Sequence, residues 1–377
     1  MKAYLDNAAT TPMAKEVIEV MTKVMVNTFG NPSSTHAFGR EAKGIIENAR
    51  RTIGKYIHAE PKEIIFTSGG TEADNMAILC AVRDLGVKHI ISSPIEHHAV
   101  EHSLDNVNKN FKCKISHVNL DEKGNVNLVH LEELLSSSSE KVLVSLMHAN
   151  NEIGTLLPLK EVGELCKKHK TYFHSDTVQT LSHYSINLEE LNIDFITCAA
   201  HKFHGPKGVG FLYKNKDIPL KPLIEGGAQE RGLRGGTENI TGIVGLAKAI
   251  ELAHTDIDSH IEKVQTLKSY MINELQSKVG GVDVIGETEH KKSLYTVLNV
   301  LFPKFSKQDM LLFMLDLEGI ACSGGSACTA GANAGSHVLR GIKADTSRQN
   351  IRFSFSRFTT KEEIDFTIQK IVKIYNS

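Results

Sequence analysis

Short apolar runs alternate with helical stretches along much of this chain, and polar clusters follow the runs. The runs lie at 63–67, 89–92, 141–147, 171–174, 193–198 and 209–213. Between them, apolar residues recur at helical spacing over 15–26 and 38–57, through Met76, Ile78, Leu79 and Val82, from His98 onward, and through Val162, Leu165 and Cys166. This order predicts an open α/β sheet, largely parallel and covered on both faces. In such sheets ligands bind beyond the carboxyl ends of the strands. Four polar clusters fall there: Ser68 to Glu72, Glu96-His97-His98, Asn150-Asn151-Glu152 and His174-Ser175-Asp176. Lys202 follows its own strand in the same way, in Ala199-Ala200-His201-Lys202-Phe203-His204-Gly205-Pro206-Lys207-Gly208.

After about residue 254 the pattern changes. A long helix is expected over 257–278, strands at 282–285 and 295–301, a helix at 307–317, a half-buried strand at 352–355 and a last helix from 361. The expected organisation is therefore a large α/β domain over 15–254 and a smaller α+β domain formed by 1–14 and 255–377. The formal net charge of -1 gives no basic surface for nucleic acid. Six cysteines without a Cys-x-x-Cys pair argue against a zinc ribbon, a thioredoxin-like motif or a disulfide scaffold. No signal-like N-terminus and no membrane-spanning apolar run is seen, so a location in the cytoplasm, or in an organelle of similar redox poise, is expected.

Each cluster suggests chemistry. A lysine held in a Gly/Pro turn at a strand end suits a Schiff base, although most Lys-Gly turns are only turns. Ser68-Gly69-Gly70-Thr71-Glu72 links strand to helix, where small residues and the helix dipole favour an anion by about 0.3–1 kcal/mol near a surface. A plain helix cap by Ser68 or Thr71 is the simpler explanation. Asp176, three residues before Gln179, would need a cationic partner if buried, or it is a helix cap. His97 can stack on a flat ring and move protons. His97-His98 suggests a metal only weakly, because adjacent residues ligate one ion poorly and no partner at zinc spacing joins them. No metal site is expected. The segment 322–335 is almost all small residues and is expected to be mobile, with Cys328 reachable on it. Cys80 and Cys166 are expected to be buried and inert, and Cys322 to be packed.

Taken in order, these residues resemble the cysteine desulfurases, a pyridoxal-phosphate family of the large aspartate-aminotransferase-like fold (fold type I). The resemblance rests on Tyr4-Leu5-Asp6-Asn7-Ala8-Ala9-Thr10-Thr11, Gly30-Asn31-Pro32-Ser33-Ser34, Thr67 to Glu72, Glu96-His97, Asn150 to Gly154, Asp176 to Gln179, His201 to Gly208, Arg234-Gly235-Gly236-Thr237, Gly325-Ser326-Ala327-Cys328 and Ile351-Arg352-Phe353-Ser354. It implies that Lys202 forms the internal aldimine with pyridoxal 5'-phosphate and later moves the Cα proton. It implies that Asp176 pairs with the pyridinium nitrogen and that Gln179 and Asn151 lie near the ring hydroxyl. His97 would stack on the ring. Gly70, Thr71 and His201 would hold the phosphate, with Thr237 reaching the phosphate of a neighbouring subunit in a homodimer. Arg352, together with Asn151, would bind the carboxylate of L-cysteine. Cys328 would take the substrate sulfur as a persulfide, releasing alanine, for an iron–sulfur scaffold or another sulfur-acceptor protein.

One position departs from the family pattern. A serine is usual three residues before the lysine, and Ala199 stands there. The loss of one hydroxyl hydrogen bond, roughly 0.5–1.5 kcal/mol, predicts weaker cofactor retention. The competing readings are an aminotransferase or selenocysteine lyase on the same fold, a non-catalytic sulfur-trafficking protein, and a metal-binding module. An aminotransferase needs no Cys328, and a colourless protein that takes up no cofactor would favour the non-catalytic reading.

Overall fold

The computed structural model describes residues 1–324 and 336–376. Its largest element is a seven-stranded sheet of β2 (Ile64–Thr67), β3 (His89–Ser92), β4 (Lys114–His117), β5 (Val142–Ser145), β6 (Tyr172–Asp176), β7 (Phe195–Ala199) and β8 (Gly210–Lys214). The strand order is β2-β8-β7-β6-β5-β3-β4, and only β8 runs antiparallel to its neighbours. The helices of this part are α1 (Lys15–Asn27), α2 (Ala37–Ile57), α3 (Gly70–Leu85), α4 (His98–Phe111), α5 (Leu128–Ser137), α6 (Leu159–Lys168) and α7 (Ile240–His254).

Successive strand residues point to opposite faces, and the two cores divide accordingly. Phe66, Ile91, Val144, Ile196 and Phe211 pack with residues of α1, α2, α5, α6 and α7. Their chain neighbours Ile65, Ile90, Leu143, Phe195 and Leu212 pack with α3 and α4 on the other face. Both faces are buried, which is why these strands read as unbroken apolar runs.

The rest of the chain builds two smaller sheets. β1 (Ala3–Tyr4) pairs with β11 (Ile320–Ala321), and the three-stranded sheet has the order β12-β10-β9, from β9 (Asp283–Ile285), β10 (Val297–Leu301) and β12 (Asn350–Ser354). The helices here are α8 (Ile257–Lys278), α9 (Leu311–Leu317), α10 (His337–Gly341) and α11 (Lys361–Tyr375). Ala3, Leu5 and Ala8 share a core with Met271, Leu275, Ile351, Phe353, Ile364 and Ile368.

The expected half-exposure of the 352–355 strand is wrong, although its alternation is right. Ile351 and Phe353 enter the core, while Arg352 and Ser354 form the opposite, polar face. That face is not solvated. Ser354 accepts from Ala8 N at 2.8 Å and donates its backbone N–H to Leu5 O at 2.7 Å, so residues 5–8 cover it.

Candidate active site

The carboxyl ends of the large sheet, with Ala8 and Ala9, line a cavity of about 310 Å³. It is lined by Gly70, Thr71, His97, Asn151, Asp176, Gln179, His201, Lys202 and Arg352 among the expected site residues, together with Asp74, Met147 and Ala199. Thr237 does not line it and is exposed. Cys328 lies outside the described residues, as does most of the small-residue segment expected to be mobile.

Lys202 ends a single 3-10 turn, Ala200–Lys202, that follows β7 directly. The turn is compact because a side chain at Gly205 would meet Ala200 O at 2.8 Å. The ε-amine donates to Ala8 O at 2.6 Å and to Ala9 O at 3.0 Å, so the N-terminal segment helps to aim it. Burial first, then the Lys202 and Lys207 charges, hold the neighbouring His201 down to about 4, which keeps it neutral.

The start of α3 differs from the simple expectation of a Ser68 or Thr71 cap. The N-cap is Gly69, and no side chain among the described residues caps the helix. Ser68 N instead donates to Glu72 Oε2 at 2.8 Å, and Glu72 is ion-paired to Arg234 at 2.9 Å. The first amides of the helix are thus left without a side-chain acceptor, on a wall of the cavity. Gly70 permits that close approach, since a Cβ there would meet Val178 Cγ2 at 2.6 Å.

Asp176 ends β6 and accepts from Val178 N at 2.9 Å and from Thr197 Oγ1 at 3.4 Å. It acts as a local cap in part, but it also faces two ionisable neighbours. One ligand-type atom each from Asp74, His97 and Asp176 lie within 4.8 Å of one another. Asp74 is 1% exposed, and burial, then the Asp176 charge, push its carboxyl well above the usual range. Asp74 Oδ1 has no hydrogen-bond partner among the described residues and stands 3.4 Å from His174 Nε2, which has none either. Burial drives His174 down to about 3, so this histidine is neutral.

His97 is the N-cap of α4, and its Nδ1 accepts from Ala99 N at 3.1 Å. That bond leaves Nε2 as the protonated nitrogen. Burial lowers the His97 pKa, partly opposed by Asp176. Beneath it Glu96 accepts from Ser93 Oγ at 2.6 Å and Met147 N at 3.1 Å, and burial raises its carboxyl to about 8.

Arg352 enters from the three-stranded sheet. It donates from Nη2 to Asp6 Oδ1 at 2.8 Å and from Nη1 to Asn151 O at 3.0 Å, while Nε has no partner among the described residues. Gln179 donates to Ala8 O at 3.1 Å. Burial raises the thiols of Cys80 and Cys166, and that of half-buried Cys322, to about 12.

Sequence reasoning missed Asp74 and the Asp6 pairing. Asp74 was detectable in principle, because it falls at the buried spacing of α3 with Ala77, Ile78 and Ala81. A carboxylate in an apolar stripe is the signal. The Asp6–Arg352 pair spans nearly the whole chain and follows no local pattern.

The Aminotransferase class-V family model matches residues 3–366. A relative named cysteine desulfurase IscS, from Dictyoglomus turgidum, is 43% identical over 99% of this chain and 94% of its own length. A putative cysteine desulfurase IscS 1 from Bacillus subtilis is also 43% identical, over 99% of this chain and 98% of its own. A solved NifS-like protein superposes with a TM-score of 0.91 at 36% identity, covering both chains fully. A structure titled SspA in complex with cysteine gives 0.81 at 31% identity, over 95% of this chain and 100% of that one. Along nearly its whole length, therefore, the chain belongs to the class-V aminotransferase family, among its cysteine desulfurases.

Proposed function

We propose that this chain removes sulfur from L-cysteine, releases L-alanine, and carries the sulfur as a persulfide on Cys328. The observation that carries this reading is the convergence of Lys202, Asp176, His97 and Arg352, from two separate sheets, on one cavity. The family's cofactor is pyridoxal 5'-phosphate, and the donor set fits it. The volume lies at the small end of the roughly 300–1,000 Å³ range of ligand pockets. The uncapped start of α3, with Gly70, Thr71 and His201, suits a phosphate; Asp176 beside the unpartnered Asp74 Oδ1 suits a protonated ring nitrogen; Lys202 suits the aldehyde. Gln179 and Asn151 are assigned to the ring hydroxyl side. When bound, the cofactor supplies the electron sink that makes the amino acid Cα proton removable.

The chain's own groups do the rest. Arg352, oriented by Asp6 and Asn151 O, binds the substrate carboxylate through its planar fork. Lys202 takes and returns a proton at the substrate Cα. His97 covers the ring face and holds a proton on Nε2. The Cys328 thiolate attacks the substrate sulfur, forming an S–S bond while the C–S electron pair stays with Cβ. Protonation there completes alanine, so cysteine and one thiol become alanine and one persulfide.

The assembly and location are part of the same proposal. The division into 15–254 and 1–14 with 255–377 is supported by the separate cores of the two sheet systems. Met25, Val26, Phe29 and Phe38 are more than half exposed, which suits a homodimer in which Thr237 reaches the partner's cofactor. No helix among the described residues is long and apolar enough to cross a membrane, and five cysteines are free, which suits the cytoplasm. The acceptor is an iron–sulfur scaffold or another sulfur-acceptor protein.

Incubation of the purified protein with cysteine should yield alanine and a persulfide that mass spectrometry maps to Cys328. Cys328→Ser should abolish both. Alanine from that variant at the original rate overturns the mechanism.

A further inference from the structure

His97 and His98 are neighbours in sequence but part company in the fold. His97 lines the cavity, whereas His98 pairs through Nδ1 with Glu101 Oε2 at 2.9 Å, one turn along α4. His337, the first residue of α10, joins them: its ring centroid is 4.5 Å from that of His98, and its Nε2 is 4.0 Å from Glu101 Oε2. We propose that His98, Glu101 and His337 form a binding site for a borderline divalent cation, with zinc the best match.

One ligand-type atom from each of the three residues lies within 4.8 Å of the other two. In tetrahedral zinc sites with bonds of about 2.0–2.1 Å, ligand atoms are spaced by about 3.3 Å. The observed spacings of 2.9 and 4.0 Å bracket that edge, so small side-chain rotations close the site. Two imidazoles and one carboxylate are also a known three-ligand zinc set that keeps a fourth position open. His98 and Glu101 are three residues apart on one helix, which puts both side chains on one face.

His98 Nε2 is buried with no hydrogen-bond partner among the described residues, and an ion on Nδ1 leaves it so. His337 Nε2 donates to Glu96 O at 2.8 Å, so its ring must turn away from that carbonyl before the nitrogen can face an ion. Glu101 is partly exposed, giving an ion a route in. Occupancy would tie the start of α10, which follows residues 325–335, to the start of α4 beside the cavity.

The test is a zinc titration by calorimetry of cofactor-loaded protein carrying Cys328→Ser, which removes a competing thiolate. One saturable equivalent per chain is expected. Glu101→Gln and His337→Ala should each weaken it at least tenfold. His102→Ala should not, because that exposed ring stacks on His98 but lies outside the three-atom cluster. Cobalt should give tetrahedral absorption bands with the same stoichiometry and the same response to the variants. Circular dichroism confirms folding, and the surface change Glu101→Gln decides the matter if His337→Ala misfolds. Absence of a saturable equivalent, or unchanged affinity in Glu101→Gln, overturns the site.

Discussion

The carboxylates on one side of the cavity and the arginine on the other are handled differently. On the side of the large sheet, Asp74 of α3 and Asp176 line the cavity, Glu96 lies beneath His97, all three are buried, and the nearby His174 is too strongly desolvated to serve as a cation. On the side of the three-stranded sheet, Arg352 is equally buried but is matched by Asp6 at 2.8 Å. Clustered buried carboxylates persist by holding protons or by meeting a cation. A buried arginine already paired to one carboxylate can still share its fork with a second. The first side is therefore built to receive a positive ring, and the second to receive an anion in competition with Asp6.

The largest effect is expected on the cationic side. Arg352→Gln removes charge-assisted hydrogen bonds of about 1.5–3 kcal/mol, so kcat/KM for cysteine should fall roughly 10- to 100-fold. The loss should appear mainly in KM, because the carboxylate does not react. Arg352→Lys should fall between, keeping the charge but losing the planar fork. Steady-state alanine formation measures both. An unchanged KM in Arg352→Gln would place the substrate carboxylate elsewhere and break the comparison.

The anionic side was the more legible of the two in the sequence. Asp176 and Lys202 each follow an apolar run, so strand geometry alone brings them to one edge of the sheet. Arg352 could be placed on a strand, but not against Asp6, since that contact depends on how residues 5–8 cross β12. β4 escaped notice because Lys114–His117 is an edge strand with little burial and no apolar run. β1 and β11, two residues each, are too short for any period to show. The Ser68 or Thr71 cap was the wrong expectation for a related reason. Ser68 and Thr71 are good capping residues, but Glu72 is held by Arg234, far along the chain, and draws the Ser68 amide to itself.

Stored protons on the anionic side should show in stability. Glu96 is neutral in the fold up to about pH 8, against an ordinary value of 4.5. Its folded form therefore binds a proton that the unfolded chain has lost. The contribution is fully present below about 4.5 and is lost as pH rises through about 8. The slope is at most about 1.4 kcal/mol per pH unit. Urea unfolding across that window should show falling stability in the native protein and a flatter profile in Glu96→Gln. An identical slope in both would mean that Glu96 is ionised and that the carboxylate side holds its charge by other means.

The smallest effect belongs to Ala199, at the seam between strand end and helix start. It is the last residue of β7, 3% exposed, and its Cβ would lie 3.7 Å from a Cβ built on Gly70. Its methyl group thus faces the uncapped start of α3, where the phosphate is assigned. A hydroxyl there would add one donor to an anion already served by backbone amides, so the gain is bounded by a single hydrogen bond. At roughly 0.5–1.5 kcal/mol, Ala199→Ser should slow cofactor loss on dialysis by about two- to tenfold and leave KM for cysteine unchanged. Retention unchanged by the serine would show that the helix amides alone satisfy the phosphate. A change in KM instead would show that position 199 acts on the side of the cavity where the substrate carboxylate is held.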